Sequence, residues 1–181
     1  MPPVLNAAVG SPTANSYVTI AWADEYFDSR FPVPTIWLAL SDDDKARALI
    51  RATDLIDVAV EWAGQVTYPD QALQWPRMGM RDARGIDVPP DKLPLNLLKA
   101  VCEQALILTA QNAAADNPLD SVTPAITSIA VDGISVGLDH SRIMTDPTTG
   151  SITNAIWDLL KWWGSIDSSG AKSGIGTIIR G

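Results

Sequence analysis

The residue types best suited to catalysis lie together at Asp139, His140 and Ser141, in the stretch LDHSR. A carboxylate, an imidazole and a hydroxyl are the groups of a hydrolytic triad, in which the carboxylate orients the histidine and the histidine activates the hydroxyl. Triad members meet in space, however, and residues adjacent in sequence rarely face one another. We therefore interpret His140, the single histidine, as a loop residue, and we predict that the protein is not an enzyme.

Patterns that bind phosphate or metal are also missing from the sequence. The stretch TDPTTGS at 145–151 has one glycine and no lysine, so it is not a phosphate-binding loop. Ser41 is followed by three aspartates at 42–44, and helix capping together with the helix dipole accounts for that run without a metal. The single cysteine, Cys102, and the single histidine cannot form a zinc cluster or an intramolecular disulfide. We predict neither a metal nor a cofactor.

The charge balance argues against a protein whose main task is to hold phosphates. The chain has 21 acidic and 13 basic residues, for a formal net charge of −8, whereas phosphate binding requires clustered lysine and arginine. Only residues 63–93 lack an acidic excess. The start MPPVLNAAVG has no secretory pattern, and the most apolar long segment is interrupted by Lys99 and Glu103. We expect neither export nor membrane insertion.

The neutral stretch contains QALQWPR at residues 71–77. Proline 76 favours an extended conformation at Trp75, so a buried indole ring would also fix the direction in which the chain leaves it. Residues 64–94 show no helical or strand periodicity, and unstructured connections longer than about 15 residues are uncommon unless they are functional or disordered. The stretch has apolar anchors that a disordered linker would lack. We therefore predict a long ordered loop with Trp75 and Pro76 as its structural anchor.

Three arginines follow in or after this motif, Arg77, Arg81 and Arg84. Guanidinium groups suit carboxylates, so the three could pair with the acidic surface of a second copy. The alternative, that they are solvated loop charges, stays open. If the arginines pair with a second copy, Arg77 points outward, and Arg77→Ala is predicted to spare folding and to harm assembly.

Apolar periodicity predicts four helices. The first covers about 20–30 with Thr19 as its N-cap, and the second runs from Ser41 to a stop at Gly64. The third runs from Pro94 to the Asn117-Pro118 break, and the fourth lies within 151–164. Alternating residues on either side of Asp132-Gly133 predict a hairpin with strands near 126–131 and 134–138. The predicted fold class is mainly α, a bundle of about four helices with a long ordered inter-helix loop and a small antiparallel β-hairpin.

Two further features predict partner contacts. Trp162 lies off the apolar stripe of the fourth helix, so we expect it to face a partner. Residues 1–164 form the predicted single domain, and 165–181 read as a flexible arm because they are rich in glycine and serine. The arm ends in Ile178, Ile179 and Arg180, which could order on a neighbouring protein; a tail that stays disordered is the alternative.

Several of these segments resemble one protein family in the same order: SYVTIAWADEYFDSR, ALIRATDLID, QALQWPR and LPLNLLKAVCEQAL. The resemblance covers residues 16 to about 106, and the Trp-Pro-Arg stretch with its distance to the proline-led helix is its most specific part. The family consists of tailed-phage and prophage proteins, often labelled DnaT-like single-stranded-DNA-binding proteins. Similar proteins act as head-tail connector, or adaptor, subunits.

The resemblance implies a structural protein of the virion neck, made in the host cytoplasm. Copies would form a homo-oligomeric ring, a dodecamer, that joins the portal protein to tail or nozzle proteins while DNA passes without specific binding. The acidic charge balance favours this hypothesis, since a channel for sliding DNA should not bind phosphates. The second hypothesis is a single-stranded-DNA-binding or replication accessory protein of a phage.

Overall fold

The fold is mainly helical, as the sequence predicts. A computed structural model describes residues 3–115, 128–131, 134–137 and 152–166. The helices in these ranges are α1 (Ile20–Asp28), α2 (Thr35–Leu38), α3 (Asp42–Ala59), α4 (Leu95–Ala115) and α5 (Asn154–Leu160). The strands are β1 (Glu61–Trp62), β2 (Gln65–Val66), β3 (Arg77–Met78), β4 (Ser128–Val131), β5 (Ile134–Gly137) and β6 (Gly164–Ser165). They pair antiparallel as β1 with β6, β2 with β3, and β4 with β5. The predicted class, a helical bundle with a long ordered loop and a small hairpin, is confirmed.

The starts of three helices follow from local capping. The Thr19 hydroxyl accepts a hydrogen bond from the Trp22 amide at 3.2 Å and begins α1. Ser41 accepts one from the Asp44 amide at 3.2 Å and begins α3, whose first turn holds the three aspartates. At α4 the carbonyl of Pro94 accepts the first helical hydrogen bonds. Each of these starts was predicted from the residue types alone.

The helix ends depart from the prediction. α3 stops at Ala59 instead of continuing to Gly64, because the chain becomes extended at Val60 and enters β1. Gly64 instead occupies a turn with φ 67°, where a side chain would collide with the carbonyl oxygen of Met78. α5 ends at Leu160, since the residues beyond it turn into β6. The short α2 was not predicted.

The core lies where α3 packs on α4 and α4 packs on α5, with α1 and α2 closing one side. Its largest side chains include Trp37, Trp75, Phe27, Leu49, Ile56, Leu97, Ile156 and Leu160. Cys102 is also fully buried in α4, and this burial raises the pKa of its thiol. A thiol of that kind is a core side chain rather than a nucleophile.

Several predicted features lie outside the described residues: the Asn117-Pro118 break, the Asp132-Gly133 turn, His140 and the segment 167–181. The domain limits 1–164 therefore stay a prediction, although Ser165 pairs with Glu61 and so belongs to β6. None of the helices in the described ranges is both long and apolar enough to span a bilayer.

Candidate functional site

Residues 64–94, which we call the WPR loop, are held by hydrogen bonds of their own. The Thr67 amide donates to the Pro76 carbonyl at 3.1 Å, and the Thr67 hydroxyl donates to the Pro90 carbonyl at 2.6 Å. The Val88 amide donates to the Met80 carbonyl at 2.9 Å. Within the loop, β2 pairs with β3, and the Trp75–Pro76 peptide bond is cis. The loop is thus a folded element that can present side chains in fixed positions.

Trp75 joins the WPR loop to the rest of the core. It is 1% exposed, and its ring meets the edge or face of Trp62 and Trp163 at centroid distances of 5.7 and 5.8 Å. The indole nitrogen of Trp75 has no hydrogen-bond partner among the described residues. Aromatic packing therefore holds this ring, and the contact brings the loop, β1 and the residues after α5 together.

A buried polar network fastens the same part of the loop to α3. The Tyr17 hydroxyl donates to both carboxylate oxygens of Asp57, at 2.7 and 2.8 Å. The Trp75 amide donates to the Tyr17 hydroxyl at 3.1 Å, and the Gln74 amide donates to Asp57 at 3.1 Å. Burial raises the pKa of Asp57 to about 6 and raises the pKa of Tyr17 well above its ordinary value. The carboxylate thus positions two backbone amides at the start of the Trp-Pro-Arg motif.

This network predicts a pH dependence of stability. Because the pKa of Asp57 is higher in the folded protein than in the unfolded chain, folding takes up a proton at this group as the pH falls. The Asp57 contribution to the free energy of unfolding should rise by about 1 kcal/mol between about pH 7 and pH 5, and should be lost again as the pH rises through 6. Urea unfolding of the wild type and of Asp57→Asn at both pH values measures it.

The matched control is Asp54→Asn, one turn earlier in α3 on an exposed residue. The difference between pH 5 and pH 7 should shrink strongly in Asp57→Asn and largely persist in Asp54→Asn, because the nearby charge of Asp54 raises the pKa of Asp57 less than burial does. Equal pH profiles for the wild type and Asp57→Asn would mean that Asp57 titrates alike in the folded and unfolded chain.

Arg77 does not point outward, so that prediction was wrong. Arg77 is 7% exposed, and its guanidinium donates to the backbone carbonyls of Ala63 at 2.7 Å, Gly64 at 3.0 Å and Gln74 at 3.0 Å. A fourth, longer bond reaches the Trp62 carbonyl at 3.4 Å. The planar fork of arginine satisfies carbonyls that the turn after α3 leaves unpaired. In the described chain Arg77 is therefore a buried residue that binds the backbone of its own chain, and its contact with a partner stays a prediction.

Arg81 and Arg84 are exposed, as the sequence predicts. The Arg81 guanidinium lies 2.9 Å from Asp87, and that of Arg84 lies 2.7 Å from Asp82. The structure therefore leaves both interpretations of these two arginines open, a contact with a partner or solvated loop charges. The structure also shows where the arginine turn lies, because the Trp163 indole donates to the Arg81 carbonyl at 3.1 Å. The arginine turn thus lies against the chain that leaves α5.

Trp162 lies at this same junction and is 56% exposed. The Lys161 ammonium is 6.0 Å from the centroid of its ring and 2.9 Å from a carboxylate oxygen of Asp158. The bond between the Trp163 indole and the Arg81 carbonyl brings the exposed residues Arg81, Arg84, Lys161 and Trp162 into one region of the chain, which we call the Trp162 face. It combines one exposed indole with three cations, and each cation has an acidic neighbour. The predicted contact residues Ile178, Ile179 and Arg180 lie outside the described ranges.

One comparison bears on the identity of the chain. A protein family described as "Putative DnaT-like ssDNA binding protein" matches it over residues 1–181. The chain belongs to this family. No curated protein and no solved structure matches it. The description of the DnaT-like family agrees with the second of the two functional hypotheses, and nothing in the comparisons supports a head-tail adaptor.

Two residues that position the loop of this DnaT-like protein were not singled out from the sequence, Tyr17 and Asp57. A signal for Asp57 exists, because it lies one turn after the buried Thr53 and next to the buried Ile56. A carboxylate at the edge of an apolar stripe needs a partner. The identity of that partner depends on how α3 packs, which the local sequence does not contain.

In the described part of this DnaT-like chain, the cavity beside the WPR loop is too small for a cofactor. A cavity of about 10 Å³ between the N-terminal segment and the WPR loop, lined by Tyr17, Gln71 and Trp75 among others, has room for about one water molecule. Over the same residues, no three histidine, cysteine or acidic side chains come close enough together to hold a metal ion.

Proposed function

We propose that this DnaT-like protein binds single-stranded DNA weakly, and that the Trp162 face makes the contact. The observation that carries the proposal is the family match over the whole chain. The Trp162 face adds a chemical reason, since sequence-independent binding of single strands combines aromatic platforms with cations that follow the backbone.

In the proposed contact a base stacks on the exposed indole of Trp162 while the cations reach phosphates. Arg81, Arg84 and Lys161 must first leave their aspartates, but exposed ion pairs of this kind are worth only about 0–1 kcal/mol. Replacing each aspartate by a phosphate therefore costs little free energy. The aspartates remain nearby and the net charge is −8, so the affinity should be low and strongly dependent on salt.

Trp162→Ala should weaken binding of a single-stranded oligothymidylate by about 5- to 150-fold, because loss of one stacked base costs about 1–3 kcal/mol. Fluorescence anisotropy of a labelled oligonucleotide at low salt measures it. The matched control is Phe31→Ala, which removes an aromatic side chain that is 97% exposed. The basic residue next to it in sequence, Arg30, is paired with Glu103 at 2.9 Å.

Arg81→Ala should make the slope of log K against log salt concentration shallower by about one unit, because one phosphate contact is lost. Equal affinities for the wild type and Trp162→Ala would remove the Trp162 face from the proposal. Failure of the wild type to bind single-stranded DNA at low salt would contradict the proposed function itself.

The second candidate is the head-tail adaptor, and the observation in its favour is electrostatic. The chain is acidic overall, and six basic side chains of the described ranges lie in ion pairs within the chain: Arg30, Lys45, Arg47, Arg81, Arg84 and Lys161. A dodecameric ring of such subunits between the portal protein and tail or nozzle proteins would let DNA slide. Electron microscopy of the protein mixed with its cognate portal protein tests this candidate. A ring beneath the portal, with no single-stranded-DNA binding, would replace the first proposal.

A further inference from the structure

An apolar surface lies between α1 and α3, far along the sequence from the Trp162 face. Phe31 is 97% exposed, Leu38 52%, Ile36 40% and Val33 38%. We call these four residues the α2 patch. Val58, by contrast, is an exposed valine on α3 with no other large exposed apolar residue within four positions in sequence. Grouped exposure of this kind marks a binding surface more often than scattered exposure does.

A buried tryptophan anchors the α2 patch to the core. Trp37, between Ile36 and Leu38, is fully buried with its ring 4.8 Å from that of Phe27. Its indole nitrogen donates to Asp24 at 2.8 Å, and Asp24 also binds the Lys45 ammonium at 2.9 Å. Because the buried indole fixes the single turn of α2, the side chains on either side of it are directed to the surface.

The chain itself contains a segment with matching chemistry. The last described residue is Ile166, and the 15 residues that follow it end in Ile178, Ile179, Arg180 and Gly181. Two aliphatic side chains suit an apolar patch, and the adjacent Arg180 suits the exposed acids that flank the patch in sequence, Asp28 and Asp42.

The segment is also long enough to reach. β6 pairs with β1 just after the end of α3, while the α2 patch precedes its start, so the two sites are separated by the 18 residues of α3, or about 27 Å. The 12 residues from Ile166 to Ile178 span at most about 40 Å. A segment on the same chain also has an effective concentration that can reach the millimolar range, which a second copy in dilute solution does not.

We propose that Ile178 and Ile179 dock on the α2 patch of their own chain, with Arg180 beside its acidic border. This intrachain contact covers the exposed apolar side chains and does not depend on the proposed DNA binding.

Disulfide trapping in the full chain tests the contact. One variant carries Thr35→Cys, next to Ile36 of the α2 patch, with Gly181→Cys; the matched control carries Val58→Cys with Gly181→Cys. The native Cys102 is fully buried and should not compete. Val58 lies near the end of α3, close to where the segment starts, so an undocked segment would reach Val58 at least as often as Thr35. The docked segment should instead form the intrachain Thr35 crosslink at least fivefold faster.

Adding Ile178→Ser and Ile179→Ser should remove that difference. Non-reducing electrophoresis with mass spectrometry separates the possible results. A Val58 crosslink as fast as the Thr35 crosslink would overturn the proposal. Covalent dimers joined through Thr35→Cys and Gly181→Cys would overturn it in favour of a second copy as the occupant. A Thr35 rate unchanged by the two serine substitutions would show that the isoleucines do not make the contact.

Discussion

Trp75→Ala should lower the free energy of unfolding by about 4 kcal/mol, since truncation of a buried tryptophan typically costs about 3–5 kcal/mol. The ring is 1% exposed and lies between Trp62 and Trp163, so its loss leaves a cavity that rigid neighbours cannot easily fill. The WPR loop should loosen as well, because the ring is its main apolar contact with β1. Urea unfolding followed by circular dichroism measures the change.

Trp162→Ala is the matched control, because it removes the same side chain from a site that is 56% exposed. Its effect on stability should stay within about 0.5 kcal/mol. A loss below about 1 kcal/mol for Trp75→Ala would contradict the packing of the three indole rings. Trp75→Phe should fall between the two, because it keeps an aromatic ring but leaves part of the volume empty.

The parts of the fold that the sequence predicts are those determined by neighbours in the chain. A hydroxyl side chain three residues before a free backbone amide is sufficient to begin a helix, so Thr19 and Ser41 could be identified directly. The same holds for the apolar stripes of α3 and α5, which follow from helical periodicity. These signals lie within one or two turns and need no knowledge of the packing.

The misplaced helix ends depend on distant partners. β1 forms because Glu61 pairs with Ser165 and Trp62 with Gly164, about a hundred residues away. That pairing ends α3 before Gly64 and ends α5 at Leu160. Nothing near Gly64 in sequence reports it, and glycine after a helix is an ordinary stop signal, so the wrong boundary was the natural prediction.

The location of the exposed cations illustrates a similar limit. Net charge counts every ionisable group equally, whereas binding depends on which groups share a surface. The sequence does not reveal that the Arg81 carbonyl binds Trp163, and so does not reveal that the arginine turn contacts the residue next to Trp162. An acidic chain can still carry a local site for a single strand, which is why the charge balance and the family description point to different functions.

Arg77→Ala should lower the free energy of unfolding by about 3 kcal/mol, whereas the sequence predicts that it spares folding. The substitution removes the donor that satisfies the carbonyls of Ala63, Gly64 and Gln74. Hydrogen bonds from a charged group are worth about 1.5–3 kcal/mol, and a buried acceptor left unpaired carries a further penalty. Chemical denaturation of the variant measures the loss.

Arg77→Lys separates the geometry of the side chain from its charge. A lysine keeps the positive charge but cannot place donors on several carbonyls at once, so it should recover only part of the lost stability. The matched control is Arg81→Ala, four residues later, where the arginine side chain is 71% exposed. It should change the free energy of unfolding by no more than about 0.5 kcal/mol. If Arg77→Ala were as mild as Arg81→Ala, the carbonyl bonds would contribute little, and Arg77 would be free again for the partner contact that its sequence suggests. The expected larger loss would instead identify Arg77 as the residue that fixes the Trp-Pro-Arg motif to the backbone after α3.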